Sequence, residues 1–202
     1  AARGRPSSVI RLGFGLLAIG MALVIPVVPR ADSGWYLVVP LLIAGTGLGL
    51  LVSQLNNYTL APVSEERVSE AAGVNSAAGS FGLSFGLAVA GGILLAALSI
   101  TFTQMAESST VLSPAEQERV ANALEDDAEV MSNTKLEELL VGRPQEVQDE
   151  IIRINTDARP LALQIALLIP LLAGLIGFGN SFRMMRLPDP APSDSAEMMA
   201  LG

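Results

Sequence analysis

The sequence predicts an all-α membrane protein in which four transmembrane helices carry a small helical cap between the third and the fourth. Half of the 202 residues are apolar and only 16% are charged, with a mean hydropathy of +0.50, whereas a soluble domain carries about 25% charged residues. Charge is absent from Leu12–Pro29, Ser33–Ser64, Ala71–Ala106 and Pro160–Phe182, each long enough for the roughly 17–25 residues of a membrane-spanning helix. The charge that remains is concentrated. Residues 104–159 hold thirteen acids against five bases, which accounts for the net −8. Cysteine and histidine are both absent, which excludes a disulfide scaffold, thiolate or imidazole metal sites, a Cys nucleophile and a His-based triad.

The first span covers about residues 10–28, interrupted by Gly13, Gly15 and Gly20 and closed by Pro26 and Pro29. Pro29-Arg30-Ala31-Asp32 is no small-residue cleavage site, so this span is not a signal peptide. Trp35 and Tyr36 open the second, about 35–57, at a membrane interface, where amphipathic rings settle. A short loop with Glu65, Glu66, Arg67 and Glu70 leads to the third, about 73–102, and 160–182 forms the fourth, with a kink expected at Pro170. Between them, Ser113-Pro114-Ala115-Glu116 reads as a capping box with proline at the first helical position. Its helix carries an apolar stripe of Val120, Leu124 and Ala128. A second helix is expected over 134–141, ending at Gly142, and a third after Arg143-Pro144 with Val147, Ile151 and Ile154 on one face. Residues 183–202, rich in Pro, Ser, Asp and Glu, read as a disordered tail. The organisation is therefore 1–103 with three spans, an acidic helical segment 104–159, a fourth span and the tail.

Arg and Lys near span ends set orientation. Arg3, Arg5 and Arg11 precede the first span, and Arg183 and Arg186 follow the fourth. An even number of spans returns the chain to its starting side, so both termini are expected in the cytoplasm and 104–159 outside. That acidic segment argues against nucleic acid as a partner. It reads first as a solvated helical surface and second as a cation-attracting mouth. The chain opens on Ala1-Ala2-Arg3, so it is expected to be a piece of a longer protein.

Gly45-Thr46-Gly47-Leu48-Gly49 is not a nucleotide loop, because it lies inside a span and not between a strand and a helix. Such glycines mean close helix approach, and Gly45, Gly47 and Gly49 are assigned to helix packing. The same holds for Gly79, Gly82, Gly86 and Ala90, a small-residue stripe on the third span. Thr46, Ser53 and Asn57 share one face of the second span, flanked by Gln54. Polar groups at membrane depth face protein or water, so this face either glues helices or lines a wet cavity. Ser76, Ser80 and Ser84 make a weaker strip, since serine also bonds its own helix. Asn57-Tyr58-Thr59 matches a glycosylation sequon by chance, being at the inner face. No ionisable residue lies within any span, so no proton relay and no acid, base or nucleophile constellation is carried in the membrane core. No metal or cofactor is expected.

The order of these features resembles a known family. Arg3-Gly4-Arg5-Pro6 precedes the first span, and the second ends in Asn56-Asn57-Tyr58-Thr59-Leu60. Glu70-Ala71-Ala72-Gly73 and Gly82-Leu83-Ser84-Phe85-Gly86-Leu87-Ala88 follow. Together they are similar to the C-terminal end of major facilitator superfamily transporters, in the fourteen-helix drug:proton antiporter branch of multidrug exporters. The resemblance implies that the spans are helices 11–14 of a C-terminal bundle in a bacterial inner membrane. It also implies alternating access against an N-terminal half that precedes this chain, with protons handled by residues outside it. It turns Thr46, Ser53, Gln54 and Asn57 into cavity-lining residues for amphipathic or lipophilic substrates. The alternative is a non-transporting membrane scaffold or sensor whose acidic segment binds a partner protein. No enzyme activity is expected.

Overall fold

Among the described residues every regular element is a helix, and prolines set several of their ends. The structure, a computed structural model, describes residues 6–126 and 132–184, and of Asn57 and residues 124–126 the backbone alone. The expected cytoplasmic Arg3, Arg5 and Arg186, the Ala128 end of the acidic-segment stripe and nearly all of the tail lie outside the described residues. Helix α1 is Pro6–Val27, and a 3-10 turn, Val28–Arg30, follows it. Next come α2 (Trp35–Leu60), a second 3-10 turn (Glu65–Arg67) and α3 (Val68–Glu107). Helices α4 (Pro114–Asp126) and α5 (Asn133–Leu139) precede α6 (Gln145–Ala166) and α7 (Leu168–Met184). Four helical stretches, Pro6–Arg30, Trp35–Leu60, Glu65–Glu107 and Gln145–Met184, are long and apolar enough to cross a membrane.

The boundary expected at Pro160 is not a break. Helix α6 runs through Pro160 without interruption, so the acidic segment continues directly into the apolar stretch. The interruption falls at Leu167, whose N–H reaches Leu163 O at 2.9 Å. Four residues after Ala166 stands Pro170, which offers no N–H to the Ala166 carbonyl and crowds it. The expected kink is therefore a change of helix three residues before the proline. Likewise α3 extends to Glu107, past the expected end of the third span. Helix α5 covers Asn133–Leu139, capped by the Ser132 hydroxyl, which accepts from Lys135 N at 3.2 Å. The chain then turns at Gly142, whose φ of 89° is a left-handed value suited to glycine.

The chain divides into two compact units. The first takes the described residues within 1–24, 38–85 and 170–202. Its interior is a close approach of α1 to α2. A Cβ built on Gly47 would stand 2.5 Å from Leu17 N and 2.6 Å from Gly13 O, and one on Gly20 would stand 2.5 Å from Ala44 N. The other side of α1 meets α7, with Ala18 beside Gly174 and Phe14 against Gly177. Tyr58 Oη donates to Met184 O at 3.2 Å, tying the end of α2 to the end of α7. The Arg11 guanidinium sits 5.6 Å from the Phe182 ring centroid, within cation–π range.

The second unit is residues 25–37 and 86–169. Its core joins the second half of α3 to α4, α5 and α6. Phe102 and Ala106 of α3 and Ile154, Ala158 and Ala162 of α6 are fully buried, with Ala121 and Leu136 completing the cluster. The spacing Ile154, Ala158, Ala162 is one face of a 3.6-residue helix. Its small residues share the buried cluster with the bulky Phe102. Within this unit Gln164 Nε2 donates to Ile25 O at 2.7 Å. That carbonyl would otherwise be bonded four residues on by Pro29, which has no N–H.

Candidate functional site

The polar face of α2 is built from hydroxyls that bond their own helix. Thr46 Oγ1 donates to Leu42 O at 2.7 Å and Ser53 Oγ to Leu50 O at 2.9 Å, and Thr59, on another side of the same helix, likewise donates Oγ1 to Leu55 O at 2.7 Å. Each hydrogen is thereby used, and each oxygen turns acceptor lone pairs outward. Thr46 and Ser53 are exposed and Gln54 is half-buried. The Asn57 side chain lies outside the described residues.

The turn after α2 brings α3 back beside it. Asn75 Nδ2 donates to Asn56 Oδ1 at 2.8 Å, a side-chain clasp between the two helices. Clefts of about 770 Å³ and about 450 Å³ flank Asn75. The larger is lined by Thr59, Pro62, Arg67 and Glu70, and the smaller by Asn56, Ser76, Gly79 and Ser80. Of the expected strip Ser76, Ser80 and Ser84, the first two thus line one cleft with the Asn pair. Asn56 stands one turn beyond Ser53, and Asn75 is one of two side-chain amides, with Gln104, in the charge-free stretch Ala71–Ala106. Those two positions were the signal for the clasp, but only the hairpin register pairs them.

The small residues divide. Gly47 lies in the α1–α2 seam, against Gly13 and Leu17. No other helix comes within 4 Å of the Cβ positions of Gly45, Gly49, Gly79, Gly82 or Gly86 among the described residues, and Ala90 is half-buried. Along the same part of α3, Phe81, Leu83 and Phe85 are exposed, and the two rings stack at 5.7 Å. This half of α3 therefore shows both its apolar and its small-residue faces. Gly13 and Gly20, which do pack, are seven residues apart and share one helical face, a signal present in the sequence.

The second unit carries an ion network where a plain solvated surface was one expectation. Arg153 holds Glu150 in a bidentate pair, Nη2 to Oε1 and Nε to Oε2, both at 2.8 Å. Ser109 Oγ, after α3, donates to the same Oε1 at 2.7 Å, and Arg153 Nη1 reaches Asp157 Oδ2 at 3.3 Å. Beside it the buried Asn155 donates to Asn133 Oδ1 at 2.7 Å, linking α6 to α5. Among the described residues no group of three or more Asp and Glu is arranged to hold a metal ion.

The Arg153 hydrogen bonds, helped by the Ser109 hydroxyl and opposed by burial, lower the Glu150 carboxyl from 4.5 to about 2. The same pair raises Arg153. A depressed carboxylate contributes stability that is whole above about pH 4.5 and is lost as pH falls through about 2. The expected result for the purified chain in detergent is a melting temperature that drops across that window. Glu150→Gln should melt lower at pH 7 and change less on acidification. Equal pH profiles for the two proteins, read by circular dichroism, would count against the network.

No family model matches this chain, and neither a curated protein nor a solved structure matches it.

Proposed function

We propose that this chain supplies the last four membrane helices of a proton-coupled efflux transporter for amphipathic or lipophilic small molecules. The membrane would be a bacterial inner membrane, with both termini cytoplasmic and residues 104–159 external. The observation that carries the reading is the state of the α2–α3 hairpin. The exposed hydroxyl face of α2, the cleft at the Asn56–Asn75 clasp and the open glycine face of α3 have no partner within the described chain. Against lipid, the exposed hydroxyl oxygens and the amide groups left over from the Asn56–Asn75 bond cost free energy, and a glycine stripe gains nothing by facing acyl chains. Both make sense beside a second helical bundle and a water-filled cavity. The motif order around Asn56–Leu60 and Gly82–Ala88 agrees with this. Thr46, Ser53, Gln54 and Asn57 would line the cavity, with protons carried by residues outside the chain.

Single cysteines in the longer transporter, with any other cysteine replaced, test the reading; this chain has none of its own. In intact cells a membrane-impermeant maleimide should label Glu137→Cys and spare Glu66→Cys. Ser53→Cys should react with a small water-soluble thiol reagent and be protected by an exported compound, whereas Leu48→Cys should be inert. Labelling of Glu66→Cys instead of Glu137→Cys, or an unreactive Ser53→Cys in an active exporter, would overturn it.

A further inference from the structure

Helices α4, α5 and α6 line an open pocket of about 220 Å³. Its floor is Leu136, Val147 and Ile151, which belong to the buried core of the second unit, and Val120, Ala123 and Leu140 form its sides. Away from its charged edge the lining is almost wholly apolar, so an apolar occupant displaces water that has few polar partners there. The pocket takes an apolar body such as a medium-length acyl chain.

Three charged groups line the same pocket: Glu116, Arg119 and Arg143. Both arginines are exposed, as are Ala123 and Leu139 of the same lining, so they stand at the open side of the pocket. Glu116 is already engaged. Its Oε2 accepts from Ser113 N at 3.1 Å and Ser113 Oγ at 2.6 Å, and its Oε1 pairs with Arg143 Nη1 at 3.3 Å. Arg119 donates Nε to Ala115 O at 2.9 Å, and its terminal amino groups have no acceptor among the described residues. The mouth therefore holds two guanidiniums against one carboxylate. It does so in a segment where acids outnumber bases thirteen to five, and two of those five bases stand here.

We propose that this pocket is a binding site for a free single-chain anionic amphiphile, its apolar chain over Leu136, Val147 and Ile151 and its head group at Arg119 and Arg143. The inference is independent of the transport reading, because every residue it uses lies in α4–α6 and the turn after α5.

The test uses the full chain in lipid nanodiscs with Ala123→Cys as the sole thiol. Its alkylation by a water-soluble maleimide is timed with decanoate or with decyltrimethylammonium, which share a chain and differ in head charge. Decanoate at about four times its Kd should slow alkylation about five-fold, and the cation should slow it far less. A control cysteine, Glu146→Cys, should respond to neither. Arg119→Gln, which leaves the Glu116–Arg143 pair intact, should remove most of the decanoate protection while the circular dichroism spectrum stays unchanged. Equal protection by both amphiphiles, no protection by decanoate, or full protection in the Arg119→Gln protein would each overturn the proposal.

Discussion

Gly47→Val is expected to destabilise the first unit by about 3 kcal/mol, the upper part of the usual range for overpacking, while Gly82→Val leaves the isolated chain almost unchanged. The difference comes from what each new side chain meets. At Gly47 the nearest atoms are the Leu17 amide nitrogen and the Gly13 carbonyl oxygen, both backbone. Backbone cannot step aside as a side chain can, so α1 and α2 must separate, and Gly13, Gly20, Ala44 and Leu51 lose their contacts together. At Gly82 there is open space within 4 Å, and leaving glycine even favours the helix by a few tenths of a kcal/mol. Thermal unfolding of the purified chain in detergent separates the two outcomes. In the full transporter proposed above the order should change, with Gly82→Val expressed normally and export impaired. A Gly47→Val protein as stable as the parent would mean that α1 and α2 do not meet as described.

Phe102→Ala should cost about 3–5 kcal/mol, the range for emptying a buried aromatic site. The ring has no solvent exposure and stands among Ala106, Ile154 and Ala158. The alanines of the same cluster are too small to fill the space, and α3 and α6 are tied by the Ser109–Glu150–Arg153 network, so collapse is limited. Amide hydrogen exchange should rise through the end of α3 and the first half of α6. Phe85→Ala, at a site with more than half of its side chain exposed, should leave exchange as it was. If both variants exchange alike, Phe102 is not the centre of the core.

The four apolar helices were legible because a long uncharged run has few other uses, and charge-free stretches are countable. The N-terminus of α4 was legible from Ser113 and Glu116, and the turn at Gly142 from its glycine, because both are local backbone chemistry. The packing role of Gly47 followed from its residue type, but its partners did not, since any glycine face permits close approach and only the tertiary arrangement chooses one. That choice fell on the Gly13–Gly20 face of α1 and left the Gly79–Gly82–Gly86 face of α3 open. The course of α6 past Pro160 was not legible either. A proline removes one hydrogen bond from a helix, and burial of Ile154, Ala158 and Ala162 on both sides of it compensates. Before Pro170 the Ala166 carbonyl has no N–H donor four residues on, and the helix changes at Leu167. The sequence by itself determined which segments are helical, which are apolar and where the acid is concentrated. Only the tertiary structure decided which small residues touch, that Asn56 finds Asn75, and that Glu150 is held by Arg153 and Ser109. Those pairings are set by helix register across turns, which no spacing within a single helix records.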